Sequence, residues 1–137
     1  MVINERLPSQ LEKIPGFLSQ VIKKIETLGL KEEEVFEIRL CLEEALTNAM
    51  KHGNKLDPDL SVEVDIEAHD NRLTIKVVDQ GQGFDFENLP DPTDKDNLLK
   101  TAGRGIFLIK NLMNKVEFSD RGRVIKMIKL LTSPARR

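Results

Sequence analysis

Glu44 and Asn48 bracket the segment Glu44-Ala45-Leu46-Thr47-Asn48, so in a helix an acid and an amide leave the same side one turn apart. An asparagine oxygen is a hard neutral donor suited to Mg²⁺, which keeps several waters and takes phosphate oxygens as further ligands. A glutamate one turn away can orient or deprotonate an attacking hydroxyl. A second segment, Asp79-Gln80-Gly81-Gln82-Gly83, sets one carboxylate before two glycines at alternate positions. Asp79 there could accept a hydrogen bond from the exocyclic amine of a purine, with Gly81 and Gly83 letting the backbone come close to the ring. Such an acceptor selects adenine, which carries an amino group where guanine carries a carbonyl. A third segment, Thr101-Ala102-Gly103-Arg104-Gly105-Ile106, places Gly103 and Gly105 directly before an apolar helical pattern. Free N–H groups at a helix start attract an anion, and Arg104 can add a charge-assisted contact to a phosphate.

Each segment has an ordinary explanation. The first could be a solvated polar helix face, the second a strand-to-loop turn in which Asp and Gly are expected, the third a loop with an arginine in solvent. In combination and in this order they imply a nucleotide site. A Walker loop is excluded because no Gly-Lys-Ser/Thr ending follows the glycines. A dinucleotide fingerprint is excluded because no strand of a βαβ unit leads straight into them. Nor do His52, His69 and Cys41 have zinc-ligand spacing, and no Gly-x-Ser-x-Gly element is present.

The elements that must position these residues follow from periodicity. Val2 to Leu7 fits an edge strand closed by Pro8. Leu11, Ile14, Leu18, Val21, Ile22, Ile25 and Leu28 repeat at three and four residues, an amphipathic helix that Pro15 must kink or start, with Gly29 as its stop. Glu32, Glu33 and Glu34 sit where the positive end of a second helix dipole favours them. The stripe Val35, Ile38, Leu42, Ala45, Leu46 and Ala49 follows, and Glu44 and Asn48 fall opposite it. Lys51 and His52 extend the polar end before Gly53 breaks the helix. Ser61 to Ala68 and Leu73 to Val78 alternate strictly around His69-Asp70-Asn71, as an antiparallel hairpin does. Residues 85–102, rich in prolines, acids and amides, read as a lid loop, long enough to be functional. Gly105 to Asn114 reads as a helix, and Val116 to Ser119 with Val124 to Leu131 as a last hairpin. The basic tail 132–137 should fray. Hairpins in place of βαβ units predict a two-layer α/β (α+β) sandwich, a mixed, mostly antiparallel sheet with helices on one face.

The 137 residues suit a single domain, 1–137. Net charge is −2, from 21 basic and 23 acidic residues, which argues against general binding of nucleic acid or an anionic membrane. No apolar run approaches the roughly 20 residues of a membrane span, and Met1 to Arg6 lack a signal-peptide core. A single cysteine, Cys41, forms no internal disulfide, so a cytoplasmic setting is expected.

The three segments resemble the boxes of the GHKL (histidine-kinase-like) ATPase superfamily, which includes histidine-kinase catalytic domains and gyrase-type ATPases. Glu44 to His52 resembles its N box, Asp79 to Phe84 its first glycine box, and Gly103 to Ile109 its second. The run Gly-Arg-Gly-Ile-Phe-Leu-Ile, then Asn-Leu-Met and Val-Glu-Phe, looks most like the small anti-sigma factors that are also serine-protein kinases. A histidine kinase usually has a longer lid and a phosphoacceptor histidine region. The resemblance implies the Bergerat ATP-binding fold, with ATP and Mg²⁺ as cofactors. It implies Asn48 as the Mg²⁺ ligand, Glu44 as general base, Asp79 on the adenine amine, and Gly81 and Gly83 shaping the pocket. Gly103 and Gly105 would serve lid hinge and phosphates, and Lys51 and Arg104 would be phosphate partners. It further implies transfer of the γ-phosphoryl group to a serine or threonine of a STAS anti-anti-sigma protein, capture of a sigma factor, and a homodimer. The alternative is an ATP-binding regulatory module that does not turn over and controls a phosphatase or response regulator by contact.

Overall fold

Alternation of apolar and polar residues builds one sheet and sets which side of it the helices cover. It is clean in Ser61–His69 and Arg72–Val78 and broken in Val124–Leu130, where Lys129 takes an inward position. The computed structural model describes residues 1–82 and 101–131. In chain order the elements are β1 (Val2–Pro8), α1 (Ile14–Glu26), α2 (Glu32–Thr47), β2 (Ser61–His69), β3 (Arg72–Val78), α3 (Thr101–Leu112), β4 (Lys115–Ser119) and β5 (Val124–Leu130). The strands lie in the order β1-β2-β3-β5-β4. All four pairings are antiparallel, and β1 is an edge strand as expected.

Register turns the alternation into two chemically distinct faces. Ile3 pairs with Ile66, Ile66 with Ile75, Ile75 with Met127, and Met127 with Val116, an apolar row across all five strands. One residue away, Asn4, Asp65, Lys76, Lys126 and Glu117 form the corresponding row on the other face. The three helices pack on the apolar side. Phe17, Leu18, Val21 and Ile25 of α1 and Ile38, Leu42, Ala45 and Leu46 of α2 are buried with Val64, Ile75 and Met127 in one core. The result is the two-layer sandwich expected from the hairpins.

Local chemistry sets the helix ends. α1 starts at Ile14, after a 3-10 turn at Leu11–Lys13, with Pro15 in its first turn. Proline fits there because its missing N–H would have no helical partner anyway. Gly29, at φ 75°, takes the left-handed conformation that ends the segment. At the start of α2 the Glu34 carboxylate accepts a bond from the Lys31 N–H at 3.3 Å. Lys129 of β5 is buried on the helix side. Its Nζ donates to the Leu112 carbonyl at 3.1 Å and the Glu37 carboxylate at 3.4 Å, so an ammonium ties the negative end of α3 to α2.

One boundary differs from expectation. α3 begins at Thr101, so Gly103, Arg104 and Gly105 lie inside its first two turns and do not precede it, and the expected lid loses Thr101 and Ala102 to the helix. Two glycines weaken a helix by about 1 kcal/mol each relative to alanine, which is why the pattern suggested a later start. Packing overrides that preference at Gly105, whose backbone lies against α2. Gly83, the rest of the lid and the tail 132–137 lie outside the described residues. Among the described residues no helix is long and apolar enough to cross a membrane.

Ile75 is fully buried at the centre of β3. Ile75→Ala should lower the unfolding free energy by about 2–5 kcal/mol, measured by denaturant titration.

Candidate functional site

The end of α2 is where the sequence places its acid–amide pair, and the backbone changes character there. After Thr47 the helix widens into a π-helical turn over Asn48–Gly53, closed by the Asn54 N–H donating to the Ala49 carbonyl at 2.8 Å. Such wide turns are rare and concentrate at functional sites. Glu44 and Asn48 do lie off the buried stripe, yet both are only half-exposed, because α3 docks on that side. A Cβ added at Gly105 would come 2.7 Å from Glu44 Oε2 and 3.0 Å from Asn48 Nδ2. The missing side chain at Gly105 is thus the space in which the carboxylate and the amide sit. Glu43, the neighbouring acid, points to solvent. Burial, and then the charge of Glu43, raise the pKa of Glu44 above the ordinary carboxylate range, while Arg104 opposes the rise. Arg104 is exposed on α3 with its charge near that carboxylate. Lys51 is exposed on the π turn.

Asp79 follows β3 and is buried with 6% of its surface exposed. Its surroundings are backbone. A Cβ at Gly53 would lie 2.5 Å from the Asp79 carboxylate, and one at Gly81 would lie 1.9 Å from the Gly53 carbonyl oxygen. Glycine is required at Gly81 because two main chains touch there, and at Gly53 because the Asp79 carboxylate fills the space a Cβ would take. Asp79 Oδ1 accepts a bond from the Gly81 N–H at 2.9 Å, and the Asp79 N–H donates to the Arg123 carbonyl at 2.9 Å. Burial pushes the Asp79 carboxyl pKa up, opposed by the Gly81 N–H and then by Arg123.

Three contributors escape a reading of the sequence alone. Gly53, which reads as a plain helix stop, is the floor under Asp79. Asn54 is buried, its Nδ2 donating to Ser9 Oγ at 2.7 Å and to the Ser61 carbonyl at 3.0 Å. Its Oδ1 accepts from the Gln80 N–H at 2.7 Å, so one amide joins the ends of β1 and β3 to the start of β2. Arg123 reaches from the start of β5 to the Gly81 and Gln82 carbonyls. The Gly53-Asn54 pair signals a helix end and nothing of the contacts that Asn54 makes. Nothing in the local sequence around Arg123 indicates its partner, 42 residues away.

A cleft lined by Asn48, Ala45, Asp79, Ile106, Phe118 and Arg123 joins all three predicted segments. Its walls are mostly apolar and Asp79 supplies one acceptor, but the open space is only ≈ 20 Å³, so it would have to widen to admit a planar base. Among the described residues no group of three or more His, Cys, Asp or Glu could hold a metal. The Asn48 side-chain oxygen is a hard neutral donor of the kind a Mg²⁺ ion takes alongside water and phosphate oxygens. Asn48 and Asp79 share the cleft, with Glu44 beside Asn48 at Gly105 and the Arg104 charge near Glu44, while Lys51 is exposed on the π turn and does not line the cleft.

The model of the histidine kinase-like ATPase domain matches residues 7–129, which include every site residue named above. The chain belongs to the histidine kinase-like ATPase family. Within it, the chain is 30% identical over 137 residues to a protein named serine-protein kinase RsbW from Staphylococcus epidermidis, covering 94% of this chain and 86% of that one. A protein of the same name from Staphylococcus aureus is 27% identical over the same shares.

Because burial raises the folded-state pKa of Asp79, folding favours its protonated form, and this carboxylate costs stability once ionised. Wild-type stability should fall as pH rises from the ordinary carboxylate pKa through the raised one. Asp79→Asn, which cannot ionise, should be more stable than wild type at neutral pH, with the advantage fading towards acid pH in thermal melts. Gly81→Ala should unfold at lower temperature than wild type, by about 1–3 kcal/mol equivalent, since its methyl group would overlap the Gly53 carbonyl.

Proposed function

We propose that this chain is an ATP-dependent serine/threonine-protein kinase acting on a STAS-domain anti-anti-sigma protein, and an anti-sigma factor that holds a sigma factor once that STAS protein is phosphorylated. The observation that carries the proposal is the meeting of Glu44 and Asn48 at the Gly105 backbone, beside the cleft that Asp79 closes. The serine-protein kinases named above, aligned along nearly the whole chain, support the choice of protein substrate.

The roles follow from position. Asp79 accepts the adenine amine from a carboxylate already oriented by the Gly81 N–H. Asn48 holds Mg²⁺ through its side-chain oxygen, and that ion supplies charge neutralisation at the phosphates. Glu44 takes the proton of the attacking hydroxyl. Its partial burial and raised pKa bring its basicity closer to that task at neutral pH than an exposed carboxylate would be. Arg104 and Lys51, both exposed, supply cations for the phosphates. The backbone N–H groups of the first turn of α3, as far as Gly103, add neutral donors, whereas the Gly105 N–H falls within the helical ladder. Gly83, which lies outside the described residues, is assigned to the pocket on the sequence alone. Phosphoryl transfer is governed by positioning and charge stabilisation, so this small set is sufficient. The sigma factor docks on a surface apart from the nucleotide cleft, on a homodimer in the cytoplasm.

Incubation with labelled ATP, Mg²⁺ and the cognate STAS protein should transfer label to a serine or threonine. Glu44→Gln should lower the rate by about 10²–10⁴-fold while ADP affinity changes little. Partner capture that needs ATP but proceeds without label transfer, and unaltered by Glu44→Gln, would instead establish a non-catalytic regulatory module.

A further inference from the structure

We infer that Arg123 is the positioning residue of the cleft: its guanidinium fixes the backbone after Asp79 so that the carboxylate presents one orientation to a purine's exocyclic amine, which makes Arg123 a determinant of base selectivity. The inference rests on the nucleotide reading of the cleft given above. Arg123 Nε donates to the Gly81 carbonyl at 2.6 Å and Nη2 to the Gln82 carbonyl at 3.2 Å. On the opposite side Nη1 is held by the Asp120 carbonyl and carboxylate, both at 3.3 Å. The main-chain carbonyl of the same residue accepts the Asp79 N–H at 2.9 Å. Arg123 therefore grips the segment at both ends, through backbone at Asp79 and through its side chain at Gly81 and Gln82.

The consequence reaches the carboxylate through Gly81. Holding the Gly81 carbonyl limits rotation at this glycine, whose N–H donates to Asp79 Oδ1 at 2.9 Å. A glycine without such a clamp would sample many conformations, and the carboxylate would turn with it. The planar guanidinium fork, with donors on separate nitrogens, can meet two successive carbonyls while touching Asp120 on its far side. A lysine ammonium is a single point on a flexible stem and cannot span the same set. The charges that face Asp79 are Arg123 and Asp120, of opposite sign, both from the β4–β5 turn and the start of β5. Arg123 also lines the cleft with Asn48 and Asp79, so the clamp borders the proposed nucleotide site.

The test compares binding of ADP and IDP, with Mg²⁺, to wild type, Arg123→Lys, Arg123→Gln and Asp120→Ala by isothermal titration. IDP carries a carbonyl where ADP carries the amine, and the two share every phosphate contact. Wild type should prefer ADP by about tenfold or more, the discrimination expected of one hydrogen bond to a charged acceptor. Arg123→Lys and Arg123→Gln should retain the folded circular dichroism spectrum and lose most of that preference, chiefly through weaker ADP binding. Asp120→Ala, which leaves the bonds to Gly81 and Gln82 in place, should keep it. If the Arg123 variants keep the wild-type preference, or lose ADP and IDP affinity equally, Arg123 does not position the carboxylate. Wild type that binds neither nucleotide would overturn the nucleotide reading itself, a result distinct from both.

Discussion

The site depends on one close approach: the end of the π turn lies directly on the loop after β3, main chain against main chain, with the Asp79 carboxylate trapped between. Gly53 and Gly81 are the only residue type that permits it, because any Cβ would enter a carbonyl or a carboxylate. Everything else at this end of the molecule serves to hold that contact. Asn54 bonds Gln80, Ser9 and Ser61, and Arg123 bonds Gly81 and Gln82. The buried polar groups involved are therefore satisfied by one another, which is what allows a charged side chain to stay inside.

A second contact of the same kind joins α3 to α2. Gly105 gives room to Glu44 and Asn48, so a helix with two weak helix formers in its first turns is placed against the acid–amide pair. At its other end α3 is fastened by Lys129, whose ammonium meets the Leu112 carbonyl and Glu37 of α2. α3 is thus fixed at its far end by Lys129 and accommodated at its near end by Gly105. The core under both helices is ordinary, and Cys41 within it is packing, its thiol pushed up to about 12 by burial.

The polar face of the sheet is a consequence of register and carries its own pairs, among them Arg6 with Glu63 at 3.1 Å and Lys115 with Glu117 at 3.2 Å. Exposed pairs of this sort contribute little to stability. Their effect is to keep the uncovered face soluble while the apolar row beneath binds the helices.

Much of this was legible from residue order. Alternation in β2 and β3, the apolar stripe of α2, Pro15 at the start of α1 and Gly29 at its end each express a local rule with a fixed period or a fixed dihedral, so composition and spacing were enough. The spacing of Glu44 and Asn48, and the placement of Asp79 at a strand end, likewise depend only on neighbours in the chain. The start of α3 was misjudged because local propensity disfavours glycine in a helix and the compensating contact comes from α2. Gly53 and Asn54 were visible only as a helix end, and Arg123 was not visible at all, since their partners are brought near by the folding of the sheet. Sequence alone determined the elements and the chemical types at the site, because those follow from short-range periodicity and intrinsic side-chain chemistry. Tertiary structure alone decided which backbones touch and which side chains hold Asp79 in place, because close packing between distant segments has no counterpart in spacing along the chain.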